Sequence, residues 1–325
     1  MVSLPRGSCL KLSVVAIVSI TAVVVLHQLS YTNTNDFSLL SQPIQVLNEC
    51  PVSPEGEGDL IAKTIPKTIH QIWKTADVST YPATPSHDNW KAAFEPKNYT
   101  VKLWTDADIL DLIKKNYTWL LSTYEGYDQN IQRADLARLV VIHAEGGTYA
   151  DLDVHPRDGE AIMCLQRHGL QGAFGPTGGS TGLSNHFFMA EKNSDFLKWA
   201  LQEAKRRGGS SSKRILLPYL RVFWSTGPLM LTAAFQQYSW MYGTLAPQVV
   251  LLSENYVGTM IAHAAGRSWH GSDGQVLNYI SDHVQLNGIW VAVSCLAVLV
   301  FFCIMRRYRA DLSYRTCCKN RHFEV

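Results

Sequence analysis

The stretch "NIQRADLARLVVIHAEGGTYADLDV", from Asn130 to Val154, constrains the fold of this chain more than any other. Apolar residues recur at helical spacing until Gly146 and Gly147, which end the helix because glycine enters backbone conformations that other residues resist. A short strand-like run, "TYADLDV", follows at once. Upstream, "TIPKTIHQIW" alternates in strand style, with Ile65, Ile69 and Ile72 bounded by Pro66, and "YTVKLWT" is a second strand. "DADILDLIKKNY" has helical spacing with Asp106 placed to cap its start. Strand, helix, strand, helix, strand in this order predicts an α/β sheet sandwiched by helices.

Two carboxylates, Asp151 and Asp153, stand one residue apart just after the glycine pair. On a strand, residues i and i+2 share a face, so the pair is expected to project together from a strand end, where open α/β sheets hold ligands. Two like charges so close need a compensating cation or full solvation. A solvated turn accounts for a lone D-x-D. A shared divalent cation accounts for it as well, and oxygen ligands favour Mn²⁺ or Mg²⁺ over zinc. Such an ion leaves positions free for a diphosphate and makes it a better leaving group. Arg133, Asp135 and Arg138 precede the pair on the helix, and Tyr149 stands beside it. Asp135 and Arg138, three apart, lie on one helical face, either as a surface ion pair or as a clamp on sugar hydroxyls and phosphate oxygens.

Two apolar runs near the ends divide the chain of 325 residues. Leu12 to Leu29 follows Arg6 and Lys11 and reads as a signal anchor or signal peptide, and Leu286 to Met305 carries no charge over a bilayer-crossing length. Basic residues precede the first and follow the second, so both tails, 1–11 and 306–325, are expected in the cytosol, with the middle lumenal. The sequons at Asn98 and Asn116, both "NYT", agree with lumenal exposure. Of seven cysteines only Cys50 and Cys164 fall in the lumenal part, where one disulfide is open to them. Residues 30–63 are rich in Ser, Thr, Asn, Pro and Gly and suit a stem, leaving 64–285 as the folded domain. The net charge of +2 gives no footprint for nucleic acid.

"IPKTIHQIW", "LWTD", "RADLARLVVIHAEGGTYADLDV", "GPLMLT" and "SWH" together resemble the D-x-D glycosyltransferases of family 32, in the family's order and over about Thr64 to Asp273. The layout with a second apolar run after the catalytic domain is more similar to the sphingolipid branch than to the protein-glycan branch. The resemblance implies a GT-A fold in the Golgi membrane, a GDP-mannose donor, Mn²⁺ (or Mg²⁺), retention of configuration and inositol phosphorylceramide as lipid acceptor. N-glycan or mannan acceptors are the alternative, and a regulatory membrane subunit is a further partner that the resemblance raises. Position by position it places the metal and diphosphate on Asp151 and Asp153, and the donor sugar on Asp135 and Arg138 with Arg133 nearby. Tyr149 and Trp73 fall at donor contacts, with Trp73 near the base. His263, Trp269 and His270 fall where the site closes over the diphosphate, and either histidine is a candidate to complete the metal shell.

Other stretches carry two readings. Asn185 and His186 in "LSNHFFMA" line the sugar pocket or form a turn before a buried strand. "KRRGGSSSKR", Lys205 to Arg214, is a solvated loop or an attractor for anionic lipid, and "ILLPYLRVFW" is core or membrane-facing surface. "DLDV" also fits the start of a haloacid-dehalogenase-like phosphohydrolase, which would require a later acidic pair for Mg²⁺. A non-catalytic membrane subunit is a third class, and a retained repelling carboxylate pair argues against it.

Overall fold

The computed structural model describes residues 19–28, 30–31, 45–51, 65–177, 182–242 and 249–264, besides 273–275, 279 and 300. The chain divides into two compact units, Met1–His270 and Gly271–Val325, and the sheet with its helices belongs to the first.

Its strands are β1 (Gln45–Leu47), β2 (Thr68–Ile72), β3 (Thr100–Trp104), β4 (Gly147–Ala150), β5 (Val154–Pro156), β6 (Gly172–Pro176), β7 (Leu183–Ala190), β8 (Val249–Leu252) and β9 (Ile261–His263). Seven of them form one sheet in the order β1-β8-β6-β7-β4-β2-β3. Only β7 runs antiparallel to its neighbours, so the α/β expectation holds in a mixed, mostly parallel form. The helices are α1 (His87–Phe94), α2 (Asp106–Asn116), α3 (Thr118–Glu125), α4 (Asn130–Glu145), α5 (Gly159–Gln166), α6 (Asp195–Arg207), α7 (Pro218–Ser225), α8 (Pro228–Tyr242) and α9 (Glu254–Met260).

A core lies on each face of the sheet. Strand alternation divides the residues: Phe174 and Phe188 pack with helices α4, α6 and α8, while Ala173, Phe187 and Met189 pack with α1, α5 and α9. Helix α4 is buried on most sides, from Gln132 through Ile142 apart from Arg133 and Ala134, which makes it the central helix of its layer. Its end at Gly146 (φ 69°) and the following Gly147 (φ 107°) need glycine. A Cβ at Gly147 would overlap the Thr68 carbonyl oxygen, so the chain turns there in contact with β2.

Several expectations change. The cap of α2 is Thr105, not Asp106: Thr105 has extended backbone and forms a reciprocal capping box with Asp108, and Asp106 is already helical. The expected stem supplies β1, which pairs parallel with β8, so sheet structure begins before Thr64. Cys50 and Cys164 form a disulfide that ties this edge to α5, with Cα atoms 6.2 Å apart. "KRRGGSSSKR" is not simply a solvated loop, because Arg207 is buried against Glu203 and donates to the Trp224 carbonyl. Among the described residues no helix is long and apolar enough to cross a membrane. Of the two apolar runs, 19–28 is helical, while 12–18 and nearly all of 286–305 lie outside the described residues.

Candidate active site

Strand β4 ends at Ala150, and Asp151 and Asp153 occupy the turn beyond it. They do not alternate along a strand as expected, because the chain bends here: Val154 N–H donates back to the Asp151 carbonyl. The turn is nevertheless rigidly supported. Asp151 N–H donates to the His186 carbonyl at 2.9 Å, and Ser86 N–H donates to the Leu152 carbonyl at 2.8 Å. Gln71 of β2 donates to Ser86 Oγ at 2.9 Å and accepts from His87, with the Asp151 carbonyl 3.5 Å from its amide nitrogen. One residue earlier, buried His70 bonds the Gly146 carbonyl and accepts from Trp104 Nε1, fixing the helix stop. The "HQ" of "IPKTIHQIW" therefore serves as scaffolding for the acidic turn.

Helix α4 delivers the other half of the site. Arg138 reaches Asp135 Oδ1 at 3.0 Å and Asp151 Oδ1 at 3.2 Å, while lying over the Tyr149 ring with its Cζ 5.5 Å from the centroid. Tyr149 donates to the same Asp151 oxygen at 2.7 Å. Asp135 is fully desolvated and accepts from Asn185 Nδ2 and Thr226 Oγ1, each at 3.0 Å. Burial pushes its carboxyl pKa upward, an effect that Arg138, Thr226 and Asn185 oppose. Burial likewise raises Asp151 to about 6 against the pull of Arg138, with the Asp153 charge adding to the rise.

On the far side of the turn, β5 pairs antiparallel with β9, placing Val154 opposite His263. Ala264 N–H donates to the Asp153 carbonyl, and His263 Nε2 comes to 3.6 Å from Asp153 Oδ2. His263 stacks flat on His186, ring centroids 4.4 Å apart. Burial first, and then the proximity of His263 and Arg138, lower His186 to about 3, so it is a neutral ring at physiological pH.

Asp135, Arg138, Tyr149, Asp151, Asp153, Asn185 and His263 are thus brought together. Trp73 lies just past the end of β2, its indole donating to Thr80 and its ring edge-on to Tyr81. Tyr81 belongs to the site although no local pattern marks it: burial, then Asp153 and Asp151, raise its phenol pKa. Thr226, on Asp135, is another such residue, whereas His186, singled out with Asn185 in the sequence, stacks on His263. Arg133 does not join the cluster, because its guanidinium is held at the start of α4 by the Tyr127 carbonyl and Asn130. Trp269 and His270 lie outside the described residues. Asn98, in a left-handed conformation, and Asn116, at the end of α2, are both exposed.

Two carboxylates, Asp135 and Asp151, share one guanidinium, and a third, Asp153, stands beside His263, leaving a surplus of negative charge on hard oxygen donors with an imidazole alongside. That donor set fits a divalent cation such as Mn²⁺ or Mg²⁺. A second observation points to an anionic ligand: Arg138 Nε is buried and has no hydrogen-bond partner among the described residues.

Residues 87–159 match the family described as "Glycosyltransferase sugar-binding region containing DXD motif", a span that holds α4, the glycine pair and the acidic turn. The chain is 28% identical over 252 residues to inositol phosphoceramide mannosyltransferase 1 of Schizosaccharomyces pombe, covering 74% of this chain and 73% of that protein. It is 30% identical over 230 residues to the mannosyl phosphorylinositol ceramide synthase SUR1 of Saccharomyces cerevisiae, covering 68% of this chain and 56% of that one. Among solved structures, PaToxG glycosyltransferase aligns over 54% of this chain and 70% of its own, with 20% identity and a TM-score of 0.38. With its acidic turn, its arginine clamp and this sequence kinship, the chain is a glycosyltransferase that carries the DXD sugar-binding region.

Proposed function

We propose that this glycosyltransferase has a GT-A fold and moves mannose from GDP-mannose to inositol phosphorylceramide, with retention of configuration, at the lumenal face of the Golgi membrane. The observation that carries the reading is the bridge from Asp135 through Arg138 to Asp151, with Arg138 Nε left as a spare donor. The yeast relatives, an inositol phosphoceramide mannosyltransferase and a mannosyl phosphorylinositol ceramide synthase, suggest the sugar and the acceptor. The two apolar runs, Leu12 to Leu29 and Leu286 to Met305, supply membrane attachment.

In this reading Asp153 and His263 hold Mn²⁺ or Mg²⁺ with Asp151, and the ion, when bound, offsets charge on the leaving diphosphate. Arg138 donates from Nε to a diphosphate oxygen while its terminal nitrogens stay on the two carboxylates. Asp135, locked by Asn185 and Thr226, keeps lone pairs for a hydroxyl of the donor sugar, and so fixes the sugar's orientation. Trp73 and Tyr81 offer an aromatic wall for the base at the end of β2.

The test incubates full-length protein in detergent with Mn²⁺, GDP-mannose or UDP-sugars, and either inositol phosphorylceramide or a mannan acceptor. Mannosylated lipid from wild type, and none from Asp153→Ala, is the expected result. Mannose on the glycan alone moves the acceptor to the protein-glycan class, and phosphate release from simple monoesters returns the phosphohydrolase reading.

A further inference from the structure

Residues 19–28 form a helix whose apolar side chains lack protein cover: Ile20, Val23 and Leu26 are 63%, 65% and 50% exposed, and Val24 and Val25 are 39% and 43% exposed. A helix apolar on several sides at once needs a non-aqueous surround. Its far end is tied to the catalytic unit. Gln28 is buried, donates through Nε2 to the Arg214 carbonyl at 3.2 Å, and accepts from Leu216 N–H at 2.7 Å. Three residues on, Tyr31 sits edge-on to Trp224, centroids 5.2 Å apart.

The segment so gripped is itself unusual. Leu216 is 62% exposed beside exposed Pro218, and Leu217, Tyr219, Phe223 and Trp224 are each partly exposed. Exposed Lys213 and Arg214 stand directly before it. An apolar tip with cations at its base has the composition of a segment resting among lipid headgroups, its aromatic rings at the interface and its cations on phosphates. Helical rise puts Leu26 and Val23 only about 3 and 7.5 Å along the axis from Gln28, so the 214–216 turn sits where lipid must begin if the helix enters it.

Building on the proposed membrane attachment of the first apolar run, we propose that Lys213 to Trp224 lies on the lumenal lipid surface of the bilayer that this helix enters. The consequence reaches the chemistry. The far end of α7 is wired to α4: Gln132 donates to Ser225 Oγ at 2.7 Å, and Thr226 donates to Asp135. Ser225 and Thr226, directly after the lipid-facing stretch, thus join it to the sugar clamp. An acceptor whose headgroup stands at the lipid–water boundary meets Asp135 without leaving the membrane.

The test reconstitutes the full chain in vesicles of phosphatidylcholine and phosphatidylinositol, with a trace of phospholipid bearing a diazirine near the carboxyl end of its acyl chain. After illumination, adducts are mapped by peptide mass spectrometry. Adducts on residues 12–29 and also on 215–224 are expected, and Leu216→Glu is expected to cut the yield on 215–224 severalfold while leaving 12–29 unchanged. Adducts on 12–29 with none on 215–224 overturn the proposal and leave the anchor in place. Adducts on neither overturn both, and a yield on 215–224 that ignores Leu216→Glu overturns the assignment of the contact to this tip.

Discussion

At the scale of single residues, the site is governed by the desolvation of Asp135 and by the donors that make it tolerable. Removing one donor leaves the buried carboxylate short of a partner, a cost of about 1–3 kcal/mol. Thr226→Val is therefore expected to lower kcat/KM roughly 10–100-fold, with Thr226→Ser restoring most of it, as measured by mannosyl transfer in detergent. A residue outside the reacting atoms gives a separate check. Burial lowers His70 to about 4 from 6.5, so the folded state resists protonating it. Above pH 6.5 both folded and unfolded chains leave it neutral. Between 6.5 and 4 only the unfolded chain takes up the proton, so its stabilising effect is lost as pH falls, up to roughly 3 kcal/mol. His70→Gln, whose amide can donate to Gly146 and accept from Trp104, is expected to flatten the fall in Tm across that window.

At the scale of elements, the junction between α4 and β4 decides whether the acidic turn forms. Gly147→Ala puts a methyl into the Thr68 carbonyl at a φ of 107°, and is expected to cost roughly 2–4 kcal/mol, read as a lowered Tm. This junction was legible in the sequence because its signals are local: periodicity, then a glycine pair, then alternation. The acidic residues were legible as a pair but not as a turn. Where β4 stops is decided by Asp151 N–H reaching His186 on a strand far along the chain. Thr226 was hidden for the same reason, since it meets Asp135 across 91 residues, and nothing near it in sequence announces the contact. Three-residue β1 was hidden in a polar stretch because its strand character comes from β8 rather than from its own composition. Arg133 was misplaced because sequence proximity to Asp135 does not say which way a helix turns, and here it turns the guanidinium back to Tyr127.

At the scale of the whole molecule, the Cys50–Cys164 bond closes a separation of 114 residues and holds the β1 edge to α5. Cys164→Ser is expected to lower stability by about 2–4 kcal/mol, seen as a lower Tm that reductant no longer changes. At this scale too, three carboxylates, two on Arg138 and one beside His263, persist because a divalent cation and a sugar nucleotide complete the charge balance. Electron paramagnetic resonance of Mn²⁺ with the full-length protein in detergent tests it directly, by counting free ion with and without GDP. Wild type is expected to take up one Mn²⁺, more tightly with GDP present, and Asp153→Ala is expected to take up none at the same concentration. Equal uptake by wild type and Asp153→Ala would contradict this charge balance.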